Sequence, residues 1–304
     1  MSNVETAWVF PGQGSQSVGM GAEIYSRNRA ARSVYEKADA ALGFSLSTLC
    51  FKGPEDELTR TVNVQPAILV TGIAMLEAAR ETGKGALPAP SSMAGHSLGQ
   101  YTALVASGAL SLEEAVILVR ERGRLMYEAG QANPGGMLAL IGAEEGVVAE
   151  ICAASGAEIS NLNSPGQIIV SGSLSELETF KLKAGEKGIR RILPLKVSGA
   201  FHSKYMRPAA AGLSAAIEKC HFKQPCVPII SNVSVAELRD EDSIKKDLVK
   251  QLTACVRWQQ SVEKLLKQGI GSFVEIGNGQ VISGLIKRID PNAVIYHAGE
   301  LITA

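Results

Sequence analysis

The run Gly95-His96-Ser97-Leu98-Gly99 constrains the fold more than any other stretch of this chain. It has the form G-x-S-x-G, in which a serine occupies a sharp turn between a strand and a helix with its hydroxyl exposed. A glycine on each side lets such a turn close without a Cβ clash. The neighbours fit this reading: Ser92-Met93-Ala94 is short and apolar enough to end a buried strand, and Leu98 to Ser107 reads as the helix that follows. Five residues do not decide between a reactive serine and an ordinary turn, because glycine and serine also combine in simple loops.

Strand and helix patterns alternate on both sides of that turn. Ala7-Trp8-Val9-Phe10 is an apolar run halted by Pro11-Gly12-Gln13-Gly14-Ser15-Gln16, a buried strand feeding a polar loop. Helical periodicity covers about Arg29 to Leu42, stopped by Gly43, and about Pro66 to Thr82, stopped by Gly83; Lys84 to Pro90 is a surface connection. Ser111-Leu112-Glu113-Glu114 is a capping box that opens a helix running to about Ala129, with Gly130 as its stop. Gly136 to Gly142, Glu158 to Ser160, Gln167 to Ser171 and Arg190 to Leu195 read as strands, with helices at Glu144 to Ala154 and Ser175 to Gly188. That order is the ferredoxin-like arrangement.

Beyond Ser198 come a turn at Phe201-His202-Ser203 and a helix from about Lys204 to Lys219, then a strand at Pro228 to Ser231. Helices near Asp242 to Leu252 and Ser261 to Gln268, a strand at Ser272 to Ile276, a helix ending near Ile289 and a strand at Ala293 to Tyr296 complete the pattern. The fold class expected is α/β: a large α/β-hydrolase-like domain with a mostly parallel sheet, residues 1–130 and 198–304, and an inserted ferredoxin-like small subdomain, residues 131–197.

Composition narrows the function classes. With 304 residues, 46% apolar and 20% charged, the chain is an ordinary globular protein. Thirty basic and thirty acidic side chains cancel, so no global field draws it to nucleic acid or an anionic membrane. No uninterrupted apolar run of about 18 residues suggests a membrane span. Five scattered cysteines without a C-x-x-C pair read as reduced thiols, and the compartment expected is the cytoplasm. Metal binding is not expected, since no His/Cys/Asp cluster has ligand spacing, and no phosphate or dinucleotide fingerprint is present.

If Ser97 is a nucleophile it needs a base, and histidine serves best near neutral pH. Of four histidines, His96 adjoins the serine and should point elsewhere, His221 follows a helix and His297 lies near the C-terminus. His202 sits in a loop where the larger domain resumes, and its position favours it, although a lone histidine is more often structural. No carboxylate between Ser97 and His202 stands out as a third member; a backbone carbonyl would orient the imidazole equally well and leave a Ser-His dyad. Arg122, taken alone, reads as a solvated arginine on an exposed helix face.

Five separated stretches change the weighting: Phe10-Pro11-Gly12-Gln13-Gly14-Ser15-Gln16, Gly95 to Gly99, Arg122-Gly123, Gly199-Ala200-Phe201-His202-Ser203, and Glu275-Ile276-Gly277-Asn278-Gly279. In order and spacing, over nearly the whole chain, they resemble the malonyl-CoA:acyl carrier protein transacylase family. The resemblance implies Ser97 as nucleophile, His202 as base, and the backbone N–H groups of Gln13 and Leu98 as oxyanion hole. It implies further that Arg122 holds the malonyl carboxylate, that Asn163 lines the pocket, that the Gln251 backbone carbonyl orients the histidine, and that Phe201 leaves little room for an α-methyl branch. Malonyl would pass from coenzyme A, a thioester substrate and not a resident cofactor, to an acyl carrier protein for fatty-acid synthesis. No nucleic-acid or membrane partner is implied, and single-chain bacterial members are usually monomers.

Two departures stand out. Gln100 replaces a glutamate usual in that family, removing a charge near the nucleophile, and Thr253-Ala254-Cys255 lacks a proline often found before the tryptophan, here Trp258. A polyketide acyltransferase, an editing hydrolase on the same fold and a catalytically dead docking protein are the rival readings. Arg122 argues against the hydrolase, because a carboxylate clamp ill suits neutral acyl chains, and the intact Ser97, His202 and Arg122 argue against the last. Arg190, Arg191, Lys287 and Arg288 are candidate contacts for an acidic carrier, or ordinary surface charge.

Overall fold

The computed structural model describes residues 5–82 and 87–303. The expected stop at Gly83 and residues 84–86 of the following connection lie outside them. Ten strands occur among the described residues: β1 (Glu5–Phe10), β2 (Ser92–Gly95), β3 (Gly135–Ile141), β4 (Glu158–Ser164), β5 (Gln167–Ser173), β6 (Ile192–Pro194), β7 (Ile229–Ile230), β8 (Glu237–Leu238), β9 (Ile270–Glu275) and β10 (Val294–His297). They form a six-stranded sheet ordered β10-β9-β1-β2-β7-β8 and a four-stranded sheet ordered β4-β5-β3-β6. All pairs in the larger sheet are parallel except β7 with β8, and the smaller sheet is antiparallel throughout.

The run of apolar residues in β1 follows from burial on both faces. Trp8 and Phe10 enter one core with the helices Thr61–Thr82, Gly99–Ala106 and Leu112–Ala132, whereas Ala7 and Val9 point the other way, toward Trp258–Lys267 and Val281–Ile289. Helix Thr61–Thr82 is long and apolar enough on average to cross a membrane, but 78% of its apolar window is buried inside the fold, as a core helix requires. Parallel strands β1, β2, β7 and β9 end on one edge of the sheet, where ligands of open α/β sheets bind.

In the smaller sheet one face packs under helices Glu145–Ser155 and Leu174–Glu186. From its other face Met137, Ala139 and Ile169 join the core of the larger unit. The smaller sheet is also tied through backbone to the segment ahead of helix Trp258–Lys267: Leu162 N–H donates to the Val256 carbonyl and Val256 N–H to the Ser160 carbonyl, each at 2.9 Å. The strand order and helix placement are those of the ferredoxin-like arrangement.

Several boundaries differ from the sequence expectation. The helix expected from Pro66 begins at Thr61, because a full turn forms ahead of the proline, whose missing N–H then falls inside the helix. Strand β4 extends past Ser160 to Ser164, carrying polar Asn161 and Asn163 that alternation alone did not suggest. The expected Lys204 to Lys219 helix starts as a 3₁₀ turn, Lys204–Met206, and continues at Arg207–Ile217. Short helices at Ala22–Arg27, Leu46–Lys52, Glu55–Thr59 and Ala298–Thr303 had no sequence signal strong enough to register.

Gly130 does not end its helix, which continues to Ala132. A Cβ there would lie 2.3 Å from the Ser198 carbonyl oxygen, so this glycine admits the returning chain. Helix propensity alone would make Gly130→Ala stabilising by about 1 kcal/mol. The contact makes it destabilising instead, by roughly 1–3 kcal/mol, as urea unfolding would measure; a higher midpoint than wild type would show that the contact yields freely.

Candidate active site

The elbow forms where β2 runs out. A Cβ on Gly95 would fall 1.9 Å from the Gly99 carbonyl carbon, and one on Gly99 would fall 2.1 Å from the Phe10 carbonyl oxygen. Both glycines are therefore demanded by close backbone approach. Between them Ser97 adopts φ 52°, a left-handed conformation rare for a residue with a side chain. Its N–H is held by the Asn232 Oδ1 at 2.7 Å, and Asn232 Nδ2 donates to the Gly95 carbonyl at 2.7 Å.

Ser97 Oγ lies 2.8 Å from His202 Nε2. His202 is also left-handed, φ 55°, and its Nδ1 is 2.8 Å from the Gln251 carbonyl oxygen. A carbonyl only accepts, so Nδ1 carries the proton and Nε2 is left free to take one from the serine. No acidic third member is needed. His96, by contrast, turns away and donates from Nε2 to Asn163 Oδ1 at 2.8 Å.

Arg122 is 2% exposed, and the reading of a solvated arginine is thereby corrected: it sits on the inward face of its helix. Its Nη1 donates to Gln65 Oε1 at 2.6 Å, and its Nη2 to Gln251 Oε1 at 3.0 Å and Ser97 Oγ at 3.2 Å. The Tyr101 ring centroid lies 5.3 Å from the guanidinium carbon. Among the described residues no carboxylate pairs with it, and its Nε–H has no hydrogen-bond partner. A buried cation supported only by neutral acceptors is an anion site in waiting.

Electrostatics follow from this burial. Desolvation, then the nearby Arg122 charge, lowers the His202 pKa to about 3, against a partial upward pull from the Gln251 carbonyl. The imidazole is thus neutral and able to accept a proton at neutral pH. Burial also lowers the pKa of His96, although Asn163 opposes it. Asp247, deeper behind the elbow, has its carboxyl raised by burial and partly pulled back by donors from Ser231 and Gln100.

Over these groups opens a cleft of about 250 Å³, lined by Gln13, Ser97, Leu98, Arg122, Asn163, Phe201 and His202 among others. Its far wall, including Met137, Ala139 and Ile169, comes from the smaller sheet. The Leu98 N–H stands at the start of helix Gly99–Ala106, whose free N–H groups and dipole favour negative charge. Neither it nor the Gln13 N–H makes a hydrogen bond to another described residue. Arg190, Arg191, Lys287 and Arg288 are not among the lining residues.

Apart from those four basic candidates, every site residue named from the sequence lines this cleft or, as Gln251 does, contacts the histidine behind it. Sequence reasoning missed Gln65, Asn232 and Asp247, and gave Gln251 a backbone role alone. Asn232 had one available signal, its place just beyond the end of a parallel strand; the other two are polar residues inside helices, where periodicity says nothing of partners.

Over residues 7–288 the sequence matches the acyl transferase domain family. The malonyl CoA-acyl carrier protein transacylase of Bacillus subtilis (strain 168) is 44% identical over 289 residues, 93% of this chain and 90% of that one. The solved structure of the corresponding transacylase from Coxiella burnetii has a TM-score of 0.94 at 37% identity, covering 99% of this chain and 98% of that one. A malonyl-transacylase solved in complex with a type II PKS acyl-carrier protein has a TM-score of 0.93 at 38% identity, covering 99% and 98%.

The electrostatic account is checked by NMR titration of the imidazoles. His202 should stay neutral as pH falls from about 7 to about 5, where an ordinary histidine protonates near 6.5. Because the unfolded chain takes up that proton first, this residue removes stability as pH falls below about 6.5. Arg122→Leu should raise the His202 pKa; an unchanged value would dissociate the two groups.

Proposed function

Since the chain belongs to the acyl transferase domain family, we infer that it transfers the malonyl group from malonyl-CoA to the phosphopantetheine thiol of an acyl carrier protein. The observation that carries this reading is Arg122, a buried guanidinium with no acidic partner among the described residues, 3.2 Å from the Ser97 hydroxyl. A guanidinium offers parallel donors to a carboxylate, and the malonyl group brings one to the reacting centre.

Ser97 Oγ attacks the thioester carbonyl while its proton passes to His202 Nε2. Charge developing on the carbonyl oxygen is met by the N–H groups of Gln13 and Leu98. As the C–S bond breaks, His202 returns the proton to the coenzyme A thiolate, and malonyl remains as an ester on Ser97. The carrier thiol then gives its proton to His202 and attacks the ester, and the serine oxygen takes that proton as it leaves. Bound carboxylate offsets the Arg122 charge that depresses His202, so the base strengthens when the correct acyl group arrives. Phe201 at the cleft restricts branching beside the carbonyl, and Asn163 supports the wall through His96.

Coenzyme A enters as thioester substrate and leaves as thiol, with no resident cofactor in the cycle. The pathway proposed is fatty-acid synthesis, in the cytoplasm, by a monomer that needs neither membrane nor nucleic acid. Five free cysteines accord with a reducing compartment. Service to a polyketide carrier is the second reading, favoured by the likeness to the transacylase solved with such a carrier.

Intact-mass measurement after exposure to malonyl-CoA or acetyl-CoA separates the alternatives. Wild type should gain one malonyl group, lost in Ser97→Ala and slowed by about 10²-fold or more in His202→Ala. Arg122→Ala should erase the preference for malonyl over acetyl. Rapid drainage of the malonyl ester to water without a carrier would mark a hydrolase instead.

A further inference from the structure

Behind the elbow lies a chain of polar side chains that the reaction sequence does not use. Gln100, Gln251, Asn232, Ser231 and Asp247 are all buried, the first four with no exposure. Ser231 Oγ accepts from the N–H groups of Val233 at 3.0 Å and Ser234 at 2.9 Å, so its own proton is free to go only to Asp247 Oδ1, with which it makes a short hydrogen bond. The other Asp247 oxygen accepts from Gln100 Nε2 at 2.7 Å.

That contact fixes which way the Gln100 amide faces. With its NH₂ on the carboxylate, its Oε1 is turned to accept from Gln251 Nε2 at 3.0 Å and from the Asn232 N–H at 3.3 Å. Gln251 is oriented in turn: its NH₂ also reaches the Ser97 carbonyl at 3.1 Å, and its Oε1 is left facing Arg122 Nη2. Reversal of the Gln251 amide would present N–H groups to a guanidinium that has only N–H groups to offer, and reversal of Gln100 would set its NH₂ against the NH₂ of Gln251 and its oxygen against the Asp247 carboxylate.

We propose that Asp247 is a positioning residue that sets the orientation of the Gln100 and Gln251 amides and so holds the Arg122 guanidinium in the attitude that receives the malonyl carboxylate. The inference rests on the malonyl-transfer reading above and extends it to a residue four contacts from the substrate. It also accounts for Gln100: the negative charge absent from position 100 is supplied by Asp247, one hydrogen bond further back. A Glu at position 100 beside Asp247 would instead place two carboxylates in contact, which cannot both be charged there.

The test compares wild type, Asp247→Asn, Gln100→Glu and the double variant Gln100→Glu/Asp247→Asn. Each is assayed with malonyl-CoA and acetyl-CoA for kcat and KM of Ser97 acylation, beside its thermal midpoint. Asp247→Asn removes the acceptor-only group, and KM for malonyl-CoA should rise about tenfold while kcat changes by less than about threefold. The malonyl-to-acetyl preference should fall with it. Gln100→Glu should behave similarly or worse, and the double variant, which returns a single carboxylate to the chain, should recover most of the preference.

A merely structural Asp247 would lower the midpoint and the active fraction, hence kcat, and leave KM and acyl preference alone; that result overturns the proposal. Should Asp247→Asn not fold, failure of the folded double variant to surpass Gln100→Glu in acyl preference overturns it equally. Wild type that takes up no malonyl would sink the functional reading itself, and the proposal with it.

Discussion

The arrangement of this site depends on one buried cation, Arg122, with which no carboxylate pairs among the described residues. Ionised groups removed from water without a counter-charge cost on the order of several kcal/mol. The fold meets part of that with oxygens of Gln65, Gln251 and Ser97 around Arg122, and with the face of Tyr101. The deficit that remains is what the proposed malonyl carboxylate would relieve. Burial, and after it the Arg122 charge, keeps His202 neutral, so the proposed anion site and the proposed base are electrostatically linked.

Around that cation Ser97 and His202, the proposed nucleophile and base, occupy strained backbone. Ser97 and His202 both hold left-handed φ values, which cost of order 1–3 kcal/mol each and persist only where the surroundings over-determine them. The surroundings do so here. Asn232 clamps the Ser97 N–H, Gln251 receives the His202 ring, and glycines at 95 and 99 allow backbones to approach within distances no other residue permits. Clamps of this kind keep the Ser97 hydroxyl and the His202 ring, the proposed nucleophile and base, within hydrogen-bond reach of each other.

Much of this was legible in the amino-acid sequence, and the limits have physical causes. The elbow, the flanking strand and helix, and the helix Arg29–Leu42 with its Gly43 stop follow from local rules, since each is specified by neighbours in the chain. The second sheet followed from the order of its elements, though β4 was read four residues short at its C-terminal end because Asn161 and Asn163 break the apolar signal. Arg122 could not be placed from its helix alone: whether an arginine faces water or core depends on what packs against it. Gln65, Asn232 and Asp247 escaped for the same reason, as their meaning lies in contacts 16 to 147 residues away along the chain. Gly130 misled because a glycine near a helix end has two uses, and only tertiary contact tells them apart.

The backbone links between Val256 and strand β4 bear on how this cleft admits a carrier's long arm. They lie beside a second tie, the bond from His96 to Asn163, which joins the elbow to the same strand. One wall of the cleft is thus sewn to the other immediately beside the nucleophile. An arm that reaches Ser97 has to pass beside these ties, through whatever width they leave open.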